Sequence, residues 1–246
     1  MRHAPVTVLR FAPMDKQIAI IVGVGPGLGW ALARRFAREG FATVACARDP
    51  GKIEPLARKE SIDVRFEACD ATKAPDVARV FSAVERELGA PSVVVFNAGA
   101  YERGGILEIT AESFERCWRV GCLGGFNVGQ AAARLMVEKG AGTILFTGAT
   151  ASLRGSAGFA NLAVPKFGLR ALAQSMAREL APKNIHVAHI VIDGGIASSD
   201  AKNAEDQSSD RFLDPDSIAR EYLHLIRQHR SAWTWELELR PFGESF

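Results

Sequence analysis

The chain has 246 residues, 48% of them apolar, with 30 Lys+Arg against 28 Asp+Glu. That length and apolar content allow one large α/β domain with a sizeable core. The balanced charge gives no sign of nucleic acid as a partner. No apolar run reaches the roughly 18 residues needed to span a bilayer, so no membrane segment is expected. Residues 1–15 lack the apolar stretch and small-residue cleavage site of a secretory leader, and a cytoplasmic location is expected. Arg2, His3 and Arg10 make them a mildly basic, solvated arm ahead of a domain over 16–246.

The most informative stretch lies at the start of that domain. An apolar run over 18–22 ends at Gly23, glycines follow at 25, 27 and 29, and a helical pattern runs over 28–39. Leu28, Leu32 and Phe36 share one helical face, Arg34, Arg35 and Arg38 point elsewhere, and Gly40 closes the helix. Strand, glycine turn and helix in this order bring bare backbone N–H groups and a helix N-terminus against a phosphate. Gly23, Gly25, Pro26, Gly27, Leu28 and Gly29 are therefore candidate nucleotide-binding residues.

Further along, strand-like runs at 42–47, 63–68, 92–96, 143–147 and 186–192 alternate with helical patterns at 51–60, 75–88, 111–139 and 161–181. Val77, Phe81, Val84 and Leu88 form the stripe of the third helix, and Thr110 is expected to cap the fourth. A last helix at 215–229 precedes a strand at 233–239, and the polar stretch 197–212 reads as a loop over the ligand edge. Alternating strands and helices with continuously apolar strands predict a single Rossmann-like, doubly wound parallel sheet with helices on both faces.

In such sheets the ligand lies at the carboxyl ends of the strands. The second strand ends in Ala47-Arg48-Asp49, where Arg48 suits the 2′-phosphate of NADP and Asp49 tempers that preference, leaving NAD possible. The third ends at Asp70-Ala71, where the Asp70 carboxylate either accepts from an adenine amino group or caps the next helix. The fourth ends in Asn97-Ala98-Gly99, a small-residue turn on which a cofactor can lie. Cys46, Cys69, Cys117 and Cys122 lack metal spacing, and His186 and His189 point to opposite faces of a strand, so no metal site is expected. Pro165 is tolerable only if its helix begins nearby.

Together these pieces resemble the short-chain dehydrogenase/reductase family from about residue 16 to 240: glycines 23, 27 and 29, Asp70, Asn97-Ala98-Gly99, Lys166, and Asp193-Gly194 through Ser198 in place of a Pro-Gly-x-x-x-Thr turn. The resemblance implies a bound NAD(P)(H), with Lys166 on the nicotinamide ribose and Gly194, the Ile196 backbone and the Ser198 hydroxyl around the carboxamide. It also implies a homodimer or homotetramer built through the fourth and fifth helices. Glycines 121, 124, 125 and 129 are compatible with close helix approach there.

The family's Tyr-x-x-x-Lys, Ser and Asn do not carry over: Leu162, Ala149 and Gly121 stand in those places. Lys166 remains, Tyr101 is the one tyrosine expected beside the cleft, and Thr147, Thr150 and Ser152 offer hydroxyls for a substrate oxygen, with Arg154 in the same loop. The expectation is an NADP(H)-dependent oxidoreductase acting on a carbonyl/alcohol pair of a small molecule through Lys166, Tyr101 or Thr150, with non-standard or weakened catalysis. The alternative is a nucleotide-binding sensor or partner subunit without turnover.

Overall fold

The structure, a computed structural model, describes residues 16–197 and 211–243. The arm at 1–15, most of the loop at 197–212 and Ser198 lie outside the described residues. Seven parallel strands form one sheet in the order β3-β2-β1-β4-β5-β6-β9. These are β1 (Ile18–Val22), β2 (Ala42–Ala47), β3 (Arg65–Ala68), β4 (Val93–Phe96), β5 (Gly142–Thr147), β6 (Ile185–Ile192) and β9 (Glu236–Leu239). Every residue of β1, β4 and β6 is buried, as strands covered on both faces require. The strand order reverses between β1 and β4, which opens a crevice at their carboxyl ends.

Helices α1 (Leu28–Arg38), α2 (Glu54–Glu60) and α7 (Pro215–Ile226) cover one face. Leu28, Leu32 and Phe36 bury the expected stripe of α1, while Arg34 reaches Glu60 and Asp216 at 2.9 and 2.6 Å and ties the three helices together. The other face carries α3 (Ala74–Leu88), α5 (Gly124–Lys139) and α6 (Ala160–Leu180). In α3 the stripe shifts: Val80 is buried with Val77, Phe81 and Val84, whereas Leu88 is exposed at the helix end.

The expected helix over 111–139 is one continuous run in three parts. It comprises α4 (Ala111–Trp118), a π turn at Arg119–Leu123 and α5, with the Thr110 side chain accepting from Ser113 N as its cap. Its glycines do bring elements close, but within the chain. A Cβ at Gly125 would stand 2.3 Å from Leu169 Cδ1 on α6, and one at Gly129 2.9 Å from Phe146.

Pro165 is the sixth residue of α6, not near its start, so its helix forgoes one internal hydrogen bond. The helix expected over 51–60 begins at Glu54, after a short 3-10 turn, and the strand expected over 233–239 begins at Glu236. A small pair unforeseen in the sequence, β7 (Gly195–Ile196) with β8 (Phe212–Leu213), lies beyond the end of β6.

Candidate active site

Backbone sterics build the first half of the crevice. Gly23 adopts φ +97°, and a Cβ there would lie 2.3 Å from Ala98 N, so the turns after β1 and β4 touch at a point where only glycine fits. Asn97 Nδ2 donates to Gly23 O at 2.9 Å, and Gly23 N and Val24 N both donate to Cys46 O, fixing the turn to β2 and β4. A Cβ at Gly29 would stand 2.7 Å from Val24 Cα, so the third glycine lets α1 pack on the turn.

Gly25 and Gly27, by contrast, face open space. Helix α1 starts behind Gly27 with no side-chain cap and no acidic residue in its first turn, which leaves its N-terminal N–H groups for a ligand. Leu28 is itself 6% exposed, so its contribution to the crevice is backbone. The groove over this turn has a volume of about 550 Å³, and Gly23, Gly25, Pro26, Arg48, Asp70 and Ala71 are among the residues that line it.

Arg48 and Asp49 are exposed at the end of β2. Asp70 does not cap α3, whose N-cap is Lys73. Its Oδ1 instead accepts from Thr72 N at 3.0 Å and Thr72 Oγ1 at 2.8 Å. Burial raises the Asp70 pKa, but the Thr72 hydrogen bonds and the nearby Lys73 and Arg48 charges outweigh it and hold the carboxyl below its ordinary value.

The second half gathers at the ends of β4, β5 and β6. Lys166, 6% exposed, donates from Nζ to Thr147 O at 2.6 Å. A Cβ at Gly99 would come within 3.9 Å of that ammonium, so Lys166 faces the turn after β4. Burial pushes its pKa down to about 8. Leu162 lies one helical turn before it, and Ala149 opens the turn after β5. A Cβ at Gly121 would stand 3.0 Å from Pro165 Cβ, so the place of the family's asparagine is filled from α6.

The candidate hydroxyls separate. Thr147 is buried and bonded to the Tyr222 hydroxyl at 2.8 Å, and Tyr222 itself is fully buried among α1 and α7 residues, so neither reaches the crevice. Ser152 is fully buried and accepts from Ala149 N. Thr150 is half-buried, and its Oγ1 donates to Asp193 Oδ1 at 2.5 Å. Tyr101 is 39% exposed, stacks on Phe159 at 5.0 Å and donates to Gly158 O at 3.3 Å, on the rim. Arg154 is exposed in the neighbouring loop.

Two arrangements had no readable signal: the ion pair of Asp193 with Arg240, and the hydrogen bond of His189 Nδ1 to Glu236 at 3.0 Å. Arg240 stands beyond the last strand with nothing local to mark it. His189 and Glu236 meet only because β6 pairs with β9. Among the described residues no group of His, Cys, Asp and Glu can hold a metal ion, and no helix is long and apolar enough to cross a membrane.

A family model described as short chain dehydrogenase matches residues 17–209. The 3-oxoacyl-[acyl-carrier-protein] reductase MabA of Mycobacterium bovis is 32% identical over 184 residues, covering 75% of this chain and 71% of that relative. A crystal structure of a short-chain dehydrogenase from Rhodopseudomonas palustris is 40% identical, with TM-score 0.80 over 94% of this chain and 100% of that one. An alcohol dehydrogenase from the archaeon Thermococcus sibiricus, complexed with 5-hydroxy-NADP, is 25% identical, with TM-score 0.82 over 94% and 99%. With a matching family model over most of its length and a relative of known structure at 40% identity, this chain belongs to the short-chain dehydrogenase family, a family of oxidoreductases.

Proposed function

We propose that the chain binds NADP(H) across the crevice, with NAD(H) as the weaker alternative, and moves hydride between it and the carbonyl/alcohol pair of a small molecule. The observation that carries this is the groove over the uncapped α1, open at Gly25 and Gly27 and flanked by the exposed Arg48. The dinucleotide supplies the hydride acceptor or donor; the chain's residues bind, orient and handle the proton.

In this reading the N–H groups of Gly25, Gly27, Leu28 and Gly29 meet the pyrophosphate, with Gly23 and Pro26 shaping the turn. Arg48 pairs with the 2′-phosphate, Asp70 and Ala71 flank the adenine, and Asn97, Ala98 and Gly99 give the cofactor a flat bed. Lys166 leaves the Thr147 carbonyl for the nicotinamide ribose, and Gly194 and Ile196 line the carboxamide. The same role proposed for Ser198 falls outside the described residues. The Thermococcus sibiricus relative, complexed with an NADP derivative, supports the choice of cofactor.

Calorimetric titration with NADPH and NADH tests the reading. NADPH should bind at least tenfold tighter, and Arg48→Asp should abolish that preference, since a charge-assisted hydrogen bond contributes about 1.5–3 kcal/mol. Equal affinities, or an unchanged preference in the variant, refute the phosphate assignment. Leu162, Ala149 and Gly121 favour a second reading, a nucleotide-binding partner without turnover. A carbonyl and alcohol panel followed at the reduced-nicotinamide absorbance separates the two. Exposed Phe126, Val137, Val164 and Phe167 on α5 and α6 support a homo-oligomer, which light scattering would measure.

A further inference from the structure

We propose that Thr150 and Asp193 together handle the substrate proton, Thr150 Oγ1 as the hydroxyl that meets the substrate oxygen and Asp193 as the buried carboxylate behind it. The proposal rests on the oxidoreductase reading above and names the residues that stand in for the missing tyrosine and serine. Two departures from the family's pattern meet here. Asp193 occupies the place of the proline in the turn after β6, and Thr150 follows Ala149, which occupies the place of the serine.

Strands β5 and β6 pair in parallel, so the segments after them emerge at the same ligand edge. There Thr150 Oγ1 donates to Asp193 Oδ1 at 2.5 Å, the length of a charge-assisted O–H···O⁻ bond. Asp193 is 5% exposed, its N–H is held by Leu239 O at 2.8 Å, and Arg240 pairs with its other oxygen. The remaining hydroxyls of this turn are committed elsewhere, Thr147 to Tyr222 and Ser152 to Ala149 N. Of the three residues only Thr150 is half-buried, and its hydroxyl is held by a buried carboxylate.

The groups facing Asp193 are Thr150 on the turn, Arg240 beyond β9 and, at longer range, Arg154. Burial raises the Asp193 pKa, but the hydrogen bonds from Thr150 and Arg240 and the two arginine charges outweigh it and keep the carboxyl below its ordinary value. At neutral pH it is therefore an acceptor, suited to alcohol oxidation. In that direction the substrate C–H hydride leaves for the nicotinamide. The substrate hydroxyl gives its proton to Thr150 Oγ1, and Oγ1 passes its own proton to Asp193. The products are a carbonyl, a reduced cofactor and a protonated Asp193, which returns its proton to water.

The first test needs no cofactor: carboxyl carbons are titrated by NMR in the wild type, Thr150→Val and Thr150→Ser, with Asp193→Asn assigning the signal. Thr150→Val should move the Asp193 titration upward and Thr150→Ser should leave it. In the second test NADP⁺ is offered with cyclohexanol or a 3-hydroxybutyryl thioester from pH 5 to 10. Thr150→Val and Asp193→Asn should lose roughly 10²-fold or more in turnover, with Thr150→Ser near wild type. NADP⁺ affinity, measured separately, should not change in any variant.

Should Asp193→Asn fail to fold, the Thr150 pair decides, because both variants keep the ion pair to Arg240. Val and Ser variants that behave alike, an Asp193 titration blind to Thr150→Val, or a wild type that binds NADP⁺ yet oxidises neither alcohol would overturn the proposal and leave cofactor binding standing. Failure to bind NADP⁺ overturns both.

Discussion

Lys166 is a buried ammonium with a backbone carbonyl as its hydrogen-bond acceptor, and its replacement tests whether the fold retains it at a loss. Burial lowers its pKa from 10.5 to about 8. At about 1.4 kcal/mol per pH unit, holding the charge in the folded state costs ~3 kcal/mol near neutrality. Lys166→Met keeps the volume and removes the charge. It forfeits about 1 kcal/mol for the hydrogen bond to Thr147 O, so the variant should be ~2 kcal/mol more stable at pH 7.

The sign with pH follows from linkage. Between pH 8 and 10.5 the unfolded chain binds this proton more tightly than the folded one, so wild-type stability rises with pH across that window. Below it the penalty is full, and above it the penalty is gone. Urea unfolding of both proteins at pH 7 and 10 should therefore show the variant's advantage shrink to about zero at pH 10, where the remaining penalty and the lost hydrogen bond nearly cancel. A difference that is the same at both pH values, or a variant already weaker at pH 7, refutes the account. Nucleotide affinity should fall in the same variant if the ammonium serves the ribose.

Gly121→Asn, which restores the family's residue, should cost about 1–3 kcal/mol by overpacking against Pro165, and adding Pro165→Ala, which removes Cγ but keeps the nearer Cβ, should recover only part of it; thermal melts of the single and double variants check this. Leu162→Tyr with Ala149→Ser should raise NADPH-dependent carbonyl reduction by roughly 10²-fold, read at the nicotinamide absorbance, because it returns a phenol one helical turn before Lys166. An unchanged rate would mean that the absent tyrosine is not what limits this chain.

The glycine-turn half of the crevice was legible in the sequence because its geometry is set by backbone approach. Where a Cβ at Gly23 would strike Ala98 and one at Gly29 would strike Val24, glycine is obligatory and its spacing shows in the letters. Continuous apolar strands likewise announced the doubly wound sheet. The half at the ends of β5 and β6 was only partly legible, since each candidate side chain depends on partners far along the chain. Thr147 is withdrawn by Tyr222, 75 residues later, Thr150 is engaged by Asp193, and Asp193 by Arg240. Pro165 read as a helix-start signal because the local rule knows nothing of Gly121, whose missing side chain leaves room for it. The small β7–β8 pair was missed because two-residue strands carry no periodicity.

These long-range pairings argue that the site is rebuilt and not merely eroded. Erosion would leave gaps: a hole where asparagine stood, loose hydroxyls, and a lysine relaxed toward solvent or replaced by an apolar residue. The asparagine's place is instead packed by Pro165, the Thr147 and Thr150 hydroxyls are tied to buried partners, and a carboxylate stands where the family has proline, neutralised by an arginine from the far edge of the sheet. Lys166 stays buried although burial disfavours its charge. A buried ammonium facing Gly99 and, at the end of β6, a buried acid that already holds a hydroxyl both fit the proposed ligand chemistry.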